Sequence, residues 1–263
     1  MGNNKKTISM EYRKILLTGG SGNLGQEIIK LGYFPKILTP SHKILDITDP
    51  KKVKKFFDWN DFDAIIHCAA LARMEECEKN PIQAIKTNII GTCNLVKEVI
   101  NKNNKKKTPI RFLYISTDGV YPGISGNYSE NDPTIPYNKY GWTKLGGECA
   151  VNLLNNFCII RTNFFDADHI VFEASPDDSF SSKMPVNELA NAICLILQSD
   201  FNGTINVGSE KGSDFEKYKH YKPSVKICKL KDILKKVSFK MAQDSSLNIN
   251  LWKKLKKMDR IEE

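Results

Sequence analysis

Tyr140 and Lys144 stand four residues apart in "PYNKYGWTK", one turn along any helix that carries them. A phenol ordinarily titrates at about pH 10, and a cationic neighbour that favours its ionised form turns it into an acid–base group for a carbonyl. In a chain with 34 Lys among 39 basic residues the spacing also arises by chance, and Tyr218 and Lys222 in "YKHYKP" repeat it. There Pro223 disfavours helix at the residue before it, so the second pair loses a shared face. Ser116, Thr117 and Asp118 close the segment "IRFLYISTD" that precedes Tyr140. A hydroxyl from Thr117 can hydrogen-bond a substrate carbonyl while Tyr140 gives the proton, the arrangement of a site for hydride transfer. Glu148, one further turn along, is expected to be the structural partner of Lys144 rather than a catalyst.

These residues need a frame, and apolar strand-like runs alternate with amphipathic helical patterns along most of the chain. The runs are 14–18, 36–39, 63–70, 110–117 and 157–162; the helical stretches are 23–33, "PKKVKKFFDW", "PIQAIKTNIIGTCNLVKEVINK" and 137–155. That rhythm predicts an α/β fold of Rossmann type, a doubly wound parallel sheet with six strands inside 14–162. The dinucleotide-binding domain is set at 11–162. Residues 163–263 are expected to form a reduced C-terminal substrate-binding lobe packed on the sheet, with a helix at "VNELANAICLILQS" and a strand at "GTINVGS".

Between the first strand and the first helix, "LLTGGSGNLGQEI" spaces Gly19, Gly22 and Gly25 so that a diphosphate can approach the helix N-terminus, with Ser21, Asn23 and Leu24 in the same turn. An acid at the end of the second strand would hold the two ribose hydroxyls of NAD, and "ILTPSHKILD" has none before Asp46. NADP(H) is therefore favoured over NAD(H), with Ser41, His42 and Lys43 as candidates for the additional phosphate. His67 lies in a strand and is expected in the core. No metal cluster is evident.

A chain of 263 residues with 41% hydrophobic content can bury a full core. Its net charge of +9 attracts anionic small molecules, but only five of the basic residues are Arg, which argues against nucleic acid as a partner. Seven Cys form an odd set without a C-x-x-C pair, expected to be buried, reduced thiols of a cytoplasmic protein. No stretch approaches a membrane span, the partial myristoylation pattern at Gly2 fails at Lys6, and the tail "LWKKLKKMDRIEE" is read as a solvated helix.

The segments "LLTGGSGNLGQ", "LDITDPKKVKKFF", "DAIIHCAALARMEECEKNP", "TNIIGTCNLV", "PYNKYGWTKLGGE", "IIRTNFF" and "DSSLN" together resemble the extended short-chain dehydrogenases/reductases, and within them the dTDP-4-dehydrorhamnose reductase family. The resemblance implies a Thr117, Tyr140, Lys144 triad and NADPH-dependent reduction of a 4-keto nucleotide sugar in nucleotide-sugar or polysaccharide biosynthesis. It places Asp46 and Ile47 near adenine, Ala69, Ala70 and Leu71 along the cofactor, and Asp118 near the sugar. Two features depart from the family. The segment after Arg161 that usually builds the nucleotide-sugar pocket is only about twenty residues long, and the stretch from Thr117 to Tyr140 is one residue short. Arg161 can bind a diphosphate or pair with an internal acid. Two rival readings stay open: a nucleotide-sugar epimerase or epimerase-reductase using the same triad, and a cofactor-binding regulatory subunit like the partner of methionine adenosyltransferase. The trimmed lobe supports the latter, and the intact triad argues against it. A homodimer is also left open.

Overall fold

Apolar residues at successive strand positions call for a sheet covered on both faces. Strands β1 (Lys14–Thr18), β2 (Lys36–Leu38), β3 (Ala64–His67), β4 (Arg111–Ile115), β5 (Phe157–Thr162) and β6 (Gly203–Val207) form one parallel sheet in the order β2-β1-β3-β4-β5-β6. The structure is a computed structural model that describes residue 12 and residues 14–261. The expected domain start at residue 11 and the Gly2 pattern lie outside the described residues.

Helices α1 (Asn23–Leu31), α2 (Pro50–Trp59), α3 (Met74–Lys79), α4 (81–103), α5 (Lys139–Val151) and α6 (Val186–Gln198) lie between and beyond the strands. Because side chains alternate across a strand, Ile15, Leu17, Leu113 and Ile160 join one core with α1 and α6. Leu16, Ile65, Phe112 and Ile159 join another with α2, α4 and α5. Each such fully buried side chain contributes about 1.5–3 kcal/mol. α1 ends two residues earlier than the apolar pattern predicts because Gly32 takes a left-handed conformation, φ 64°. Within α4 the stretch Ile85–Ile90 is π-helical, a widened turn of the kind that often accompanies functional sites.

Two expectations need correction. Five strands, not six, lie within 14–162; the sixth is Gly203–Val207, which runs along β5 in register from Gly203 opposite Cys158 to Val207 opposite Thr162. All six residues of β5 are buried, and without β6 its outer edge would carry unpaired backbone groups. The sheet therefore crosses the boundary set at 162, and α6 packs against α1 as part of the Rossmann layers. Second, Cys93 and Cys149 are exposed on the outer faces of α4 and α5, while Cys77, Cys158 and Cys194 are buried as expected.

The rest of the C-terminal part consists of short pieces. Ala174–Pro176 pairs with Lys226–Cys228, Phe180–Ser181 with Gly212–Ser213, and Phe164–Phe165 with Met184–Pro185. α7 (Asp214–Tyr221) opens with a capping box between Ser213 and Glu216. α8 (Leu230–Leu234) follows, and α9 (Asn250–Ile261) sends Trp252 into the core beside the sheet. Among the described residues no helix is long and apolar enough to cross a membrane.

Candidate active site

The strand order reverses between β1 and β3, and open α/β sheets bind ligands in the crevice at such a switch point. A cleft of about 590 Å³ opens there over Gly19–Gly22 and the first turn of α1. Gly19 has φ 74°, and a Cβ on it would stand 2.6 Å from the Ala69 nitrogen. On Gly25 a Cβ would stand 2.4 Å from the Gly19 oxygen, so only glycine lets the turn close against the helix. Ser21 borders the cleft and Asn23 is exposed beside it, whereas Leu24 turns its side chain into the core and offers only backbone. The turn and the helix N-terminus fit a dinucleotide diphosphate.

On the far wall Ser41 and His42 line the cleft, and Lys43 is exposed next to them. Ile47 also lines it, but Asp46 turns back to its own loop, accepting from the Thr48 amide at 2.9 Å and the Thr48 hydroxyl at 2.8 Å. Burial works against the Asp46 charge, yet those bonds outweigh it and hold the carboxyl below its ordinary range. Ala69 and Ala70 form the near wall; Leu71 lies just past it. His67 is core, as expected: its ring bonds Thr18 at 2.7 Å and Thr92 at 3.0 Å, and burial, with the Lys144 charge, pushes its pKa down to about 3.

Asn138 starts α5 by accepting from the Gly141 amide at 2.8 Å. Gly141 lies so close to the turn after β4 that a Cβ on it would stand 2.2 Å from the Gly119 oxygen. This contact presses the first turn of α5 onto the end of β4 and brings the Tyr140 phenol near enough to the Thr117 hydroxyl for the hydroxyl to favour its ionised form. Lys144, one turn on, is 2% exposed and holds its Nζ 4.0 Å from the centre of the Tyr114 ring.

The Tyr140 phenol does not show the lowering expected from a cationic neighbour. Burial, then Asp118 and Cys77, hold the Tyr140 phenol above its ordinary value, with only partial relief from Thr117. Burial also pushes Lys144 down to about 7, against the pull of Glu148 and Cys68. At neutral pH the phenol thus keeps the proton that a donor to a carbonyl must have.

Two expected substrate contacts are already engaged. Asp118 is 3% exposed; its Oδ2 accepts from Asn163 at 2.8 Å and Ser245 at 2.7 Å, and its Oδ1 accepts from Thr117 at 3.1 Å. Both oxygens are therefore already engaged within the protein. Arg161 donates to Glu148 through Nη2 at 2.7 Å and Nε at 3.1 Å, and to the Tyr121 hydroxyl at 2.8 Å. Burial opposes its charge, but the Glu148 carboxylate outweighs that and holds the guanidinium ionised. So Arg161 pairs with an internal acid and is not free for a diphosphate, and Glu148 partners Arg161 instead of Lys144. A guanidinium on a buried strand needs a carboxylate, and α5 supplies it.

The comparison pair behaves differently. The Tyr218 hydroxyl accepts from Lys183 at 3.0 Å, while Lys222 reaches the backbone oxygens of Ile170 and Phe172 at 2.9 and 3.0 Å. Sequence reasoning passed over Asn88, which is 1% exposed. Its amide accepts from Leu71 N at 2.8 Å and donates to Leu71 O at 3.0 Å and Thr143 at 2.9 Å, tying the cleft wall to α5. The available signal was an Asn inside the otherwise apolar pattern "TNIIGT". Asn163 and Ser245 were likewise missed as side chains of this site.

The family model described as RmlD substrate binding domain matches residues 13–174. A dTDP-4-keto-6-deoxy-D-glucose reductase from Streptomyces niveus is 33% identical over 159 residues, covering 59% of this chain and 53% of that protein. Methionine adenosyltransferase 2 subunit beta from Xenopus tropicalis is 33% identical over 158 residues, 57% of this chain and 45% of that protein. The chain spans about half the length of the curated relatives it matches. A crystal structure of a dTDP-4-dehydrorhamnose reductase ortholog from Clostridium acetobutylicum superposes with a TM-score of 0.79 at 26% identity, covering 89% of each chain. Since the family match runs from the start of β1 through β5 and into the following segment, the chain belongs to the RmlD substrate binding domain family.

Proposed function

We propose that this protein reduces the 4-keto group of a nucleotide-linked deoxysugar with NADPH, as a step in nucleotide-sugar or polysaccharide synthesis. The observation that carries this reading is the grouping of Thr117 and a proton-bearing Tyr140 at the carboxyl end of β4, with Lys144 buried one turn on, in a sheet whose switch point holds the glycine-lined cleft. Gly19–Gly22 and the α1 N-terminus would hold the diphosphate, and Ser41, His42 and Lys43 the ribose phosphate, Asp46 being engaged elsewhere. Bound there, the reduced nicotinamide supplies the hydride. Tyr140 keeps a proton on its phenolic oxygen and gives it to the carbonyl oxygen, while Thr117, whose own hydrogen goes to Asp118 Oδ1, helps to set the place of that phenol. Two relatives are themselves named reductases of such sugars.

The likeness to methionine adenosyltransferase 2 subunit beta favours one rival, a cofactor-binding regulatory subunit. Intact Thr117, Tyr140 and Lys144 weigh against it, since a subunit without catalysis has no chemical need of all three. A homodimer that buried exposed apolar side chains such as Ile82 and Ile85 of α4, Trp142 of α5 and Leu153 just after it would remove them from water, and sedimentation equilibrium tests it. The functional test is NADPH loss on mixing with dTDP-, UDP- and GDP-linked 4-keto-6-deoxy sugars. Turnover with one of them should fall by about 1,000-fold or more in Tyr140→Phe, with NADPH affinity nearly unchanged. Equal activity of that variant and the parent would overturn the role of Tyr140; NADPH binding without any turnover in the parent would favour the regulatory reading.

A further inference from the structure

Segment 243–248 ties together parts of the chain that are far apart in sequence. Its backbone bonds Phe180 of the lobe at 2.8 and 2.9 Å and Tyr128, after β4, at 3.0 Å. Ser245 in this strap is 4% exposed and gives its hydroxyl hydrogen to Asp118 Oδ2 at 2.7 Å, where Asn163 also donates at 2.8 Å. Asp118 Oδ1 receives the Thr117 hydroxyl at 3.1 Å, and Thr117 Oγ1 accepts the Gly119 amide at 3.1 Å. A hydroxyl hydrogen otherwise rotates to suit its surroundings, so a carboxylate fixed by two donors imposes a direction on the third.

We propose that Asp118, clamped by Asn163 and Ser245, is a positioning residue that fixes the Thr117 hydroxyl, so that the strap from the lobe helps to set the geometry of the acid–base site on β4 and α5. The proposal rests on the reading of Thr117 and Tyr140 as the acid–base group: with its hydrogen on Asp118, Thr117 Oγ1 is held as an acceptor near the Tyr140 phenol, which carries the proton for the carbonyl. It also gives the lobe a second task. A lobe that only covered the substrate would, when loosened, weaken substrate binding; a clamp on Thr117, when loosened, slows the reaction of substrate already bound.

The test compares Ser245→Ala and Ser245→Thr with the parent in the full chain. Turnover of a 4-keto sugar should fall about 10- to 100-fold in Ser245→Ala, with KM and NADPH affinity within about threefold, and Ser245→Thr, which keeps the hydroxyl, should recover most of it. Hydrogen exchange gives a readout that does not depend on activity: the Gly119 amide should exchange roughly tenfold faster in Ser245→Ala. A lobe tether alone would speed exchange within the strap and leave Gly119 protected. Unchanged turnover, a rise in KM alone, or undiminished protection of Gly119 would each overturn the clamp. Should the parent reduce none of the sugars, the functional reading fails while the Gly119 exchange still decides the clamp.

Discussion

Around the cleft, β3 and β4 bury every residue and the glycine turn meets the sheet by backbone contact, whereas among the described residues of the lobe the separate apolar core is small, Phe165, Tyr218 and Val225 with partly buried Ala167, Ile170 and Phe215 against them. What joins the lobe instead is a set of half-buried and buried polar partners: Lys183 with Asp214 at 3.1 Å, Ser181 with Asp214 at 2.8 Å, Lys211 with Asp244, and Ser245 with Asp118. Apolar packing tolerates exchange of one hydrophobe for another of similar volume; a buried polar partner, once removed, leaves the other group unsatisfied. The cleft region should thus respond to volume and the lobe to loss of single hydrogen bonds.

The largest expected effect cuts across that division, because the sheet region holds one polar pair of its own. Arg161→Met leaves the Glu148 carboxylate buried beside Ser116 without its cation and should cost about 3–5 kcal/mol in urea unfolding, while Arg161→Met with Glu148→Leu should recover much of it. Equal stability of the single variant and the parent would show that this pair contributes nothing. Lys183→Met is the lobe's counterpart; it strands Asp214 and should cost about 2–3 kcal/mol, read in the same way.

A smaller effect is read through pH. Folded His67 stays neutral down to about pH 3, whereas the unfolded chain takes up that proton below its ordinary 6.5. Unfolding therefore binds a proton in that window, and stability falls as pH drops from 6.5 toward 3. Lys144, lowered to about 7 from 10.5, acts with the same sign at higher pH, so its contribution rises with pH between those values. His67→Gln should flatten the acid limb of melting temperature against pH, by on the order of 1–2 kcal/mol at pH 5. An acid limb as steep as the parent's would assign acid sensitivity to other groups.

The same contrast explains what could be read in the sequence. Alternating apolar runs mark β1, β3, β4 and β5 and their helices, since these bury whole faces, and the glycine turn is legible because only glycine fits its contacts. Lobe strands of two or three residues carry no period, so their pairing is invisible. Tyr140 and Lys144 could be proposed from spacing and Thr117 from its place at the end of β4, but the partners of Asp118 and Arg161 could not. The bonds from Glu148 to Arg161 and from Asp118 to Ser245 span 13 and 127 residues and leave no local mark. The protonation of Tyr140 was misjudged for a related reason: it is set first by burial, which a sequence pattern does not report.

The smallest predicted effect separates the two Tyr-x-x-x-Lys pairs. Tyr218 is buried, accepts a hydrogen bond from Lys183 at 3.0 Å and packs against Phe165 with ring centres 5.1 Å apart. Phenylalanine keeps the ring contact and removes the acceptor, and Lys183 retains Asp214, so Tyr218→Phe should cost only about 1 kcal/mol and leave turnover within about twofold. At Tyr140 the same one-atom change removes the proton itself. Should Tyr218→Phe abolish turnover while the fold stays intact, the lobe would hold part of the reacting centre, and the separation of chemistry at the sheet from positioning by the lobe would fail.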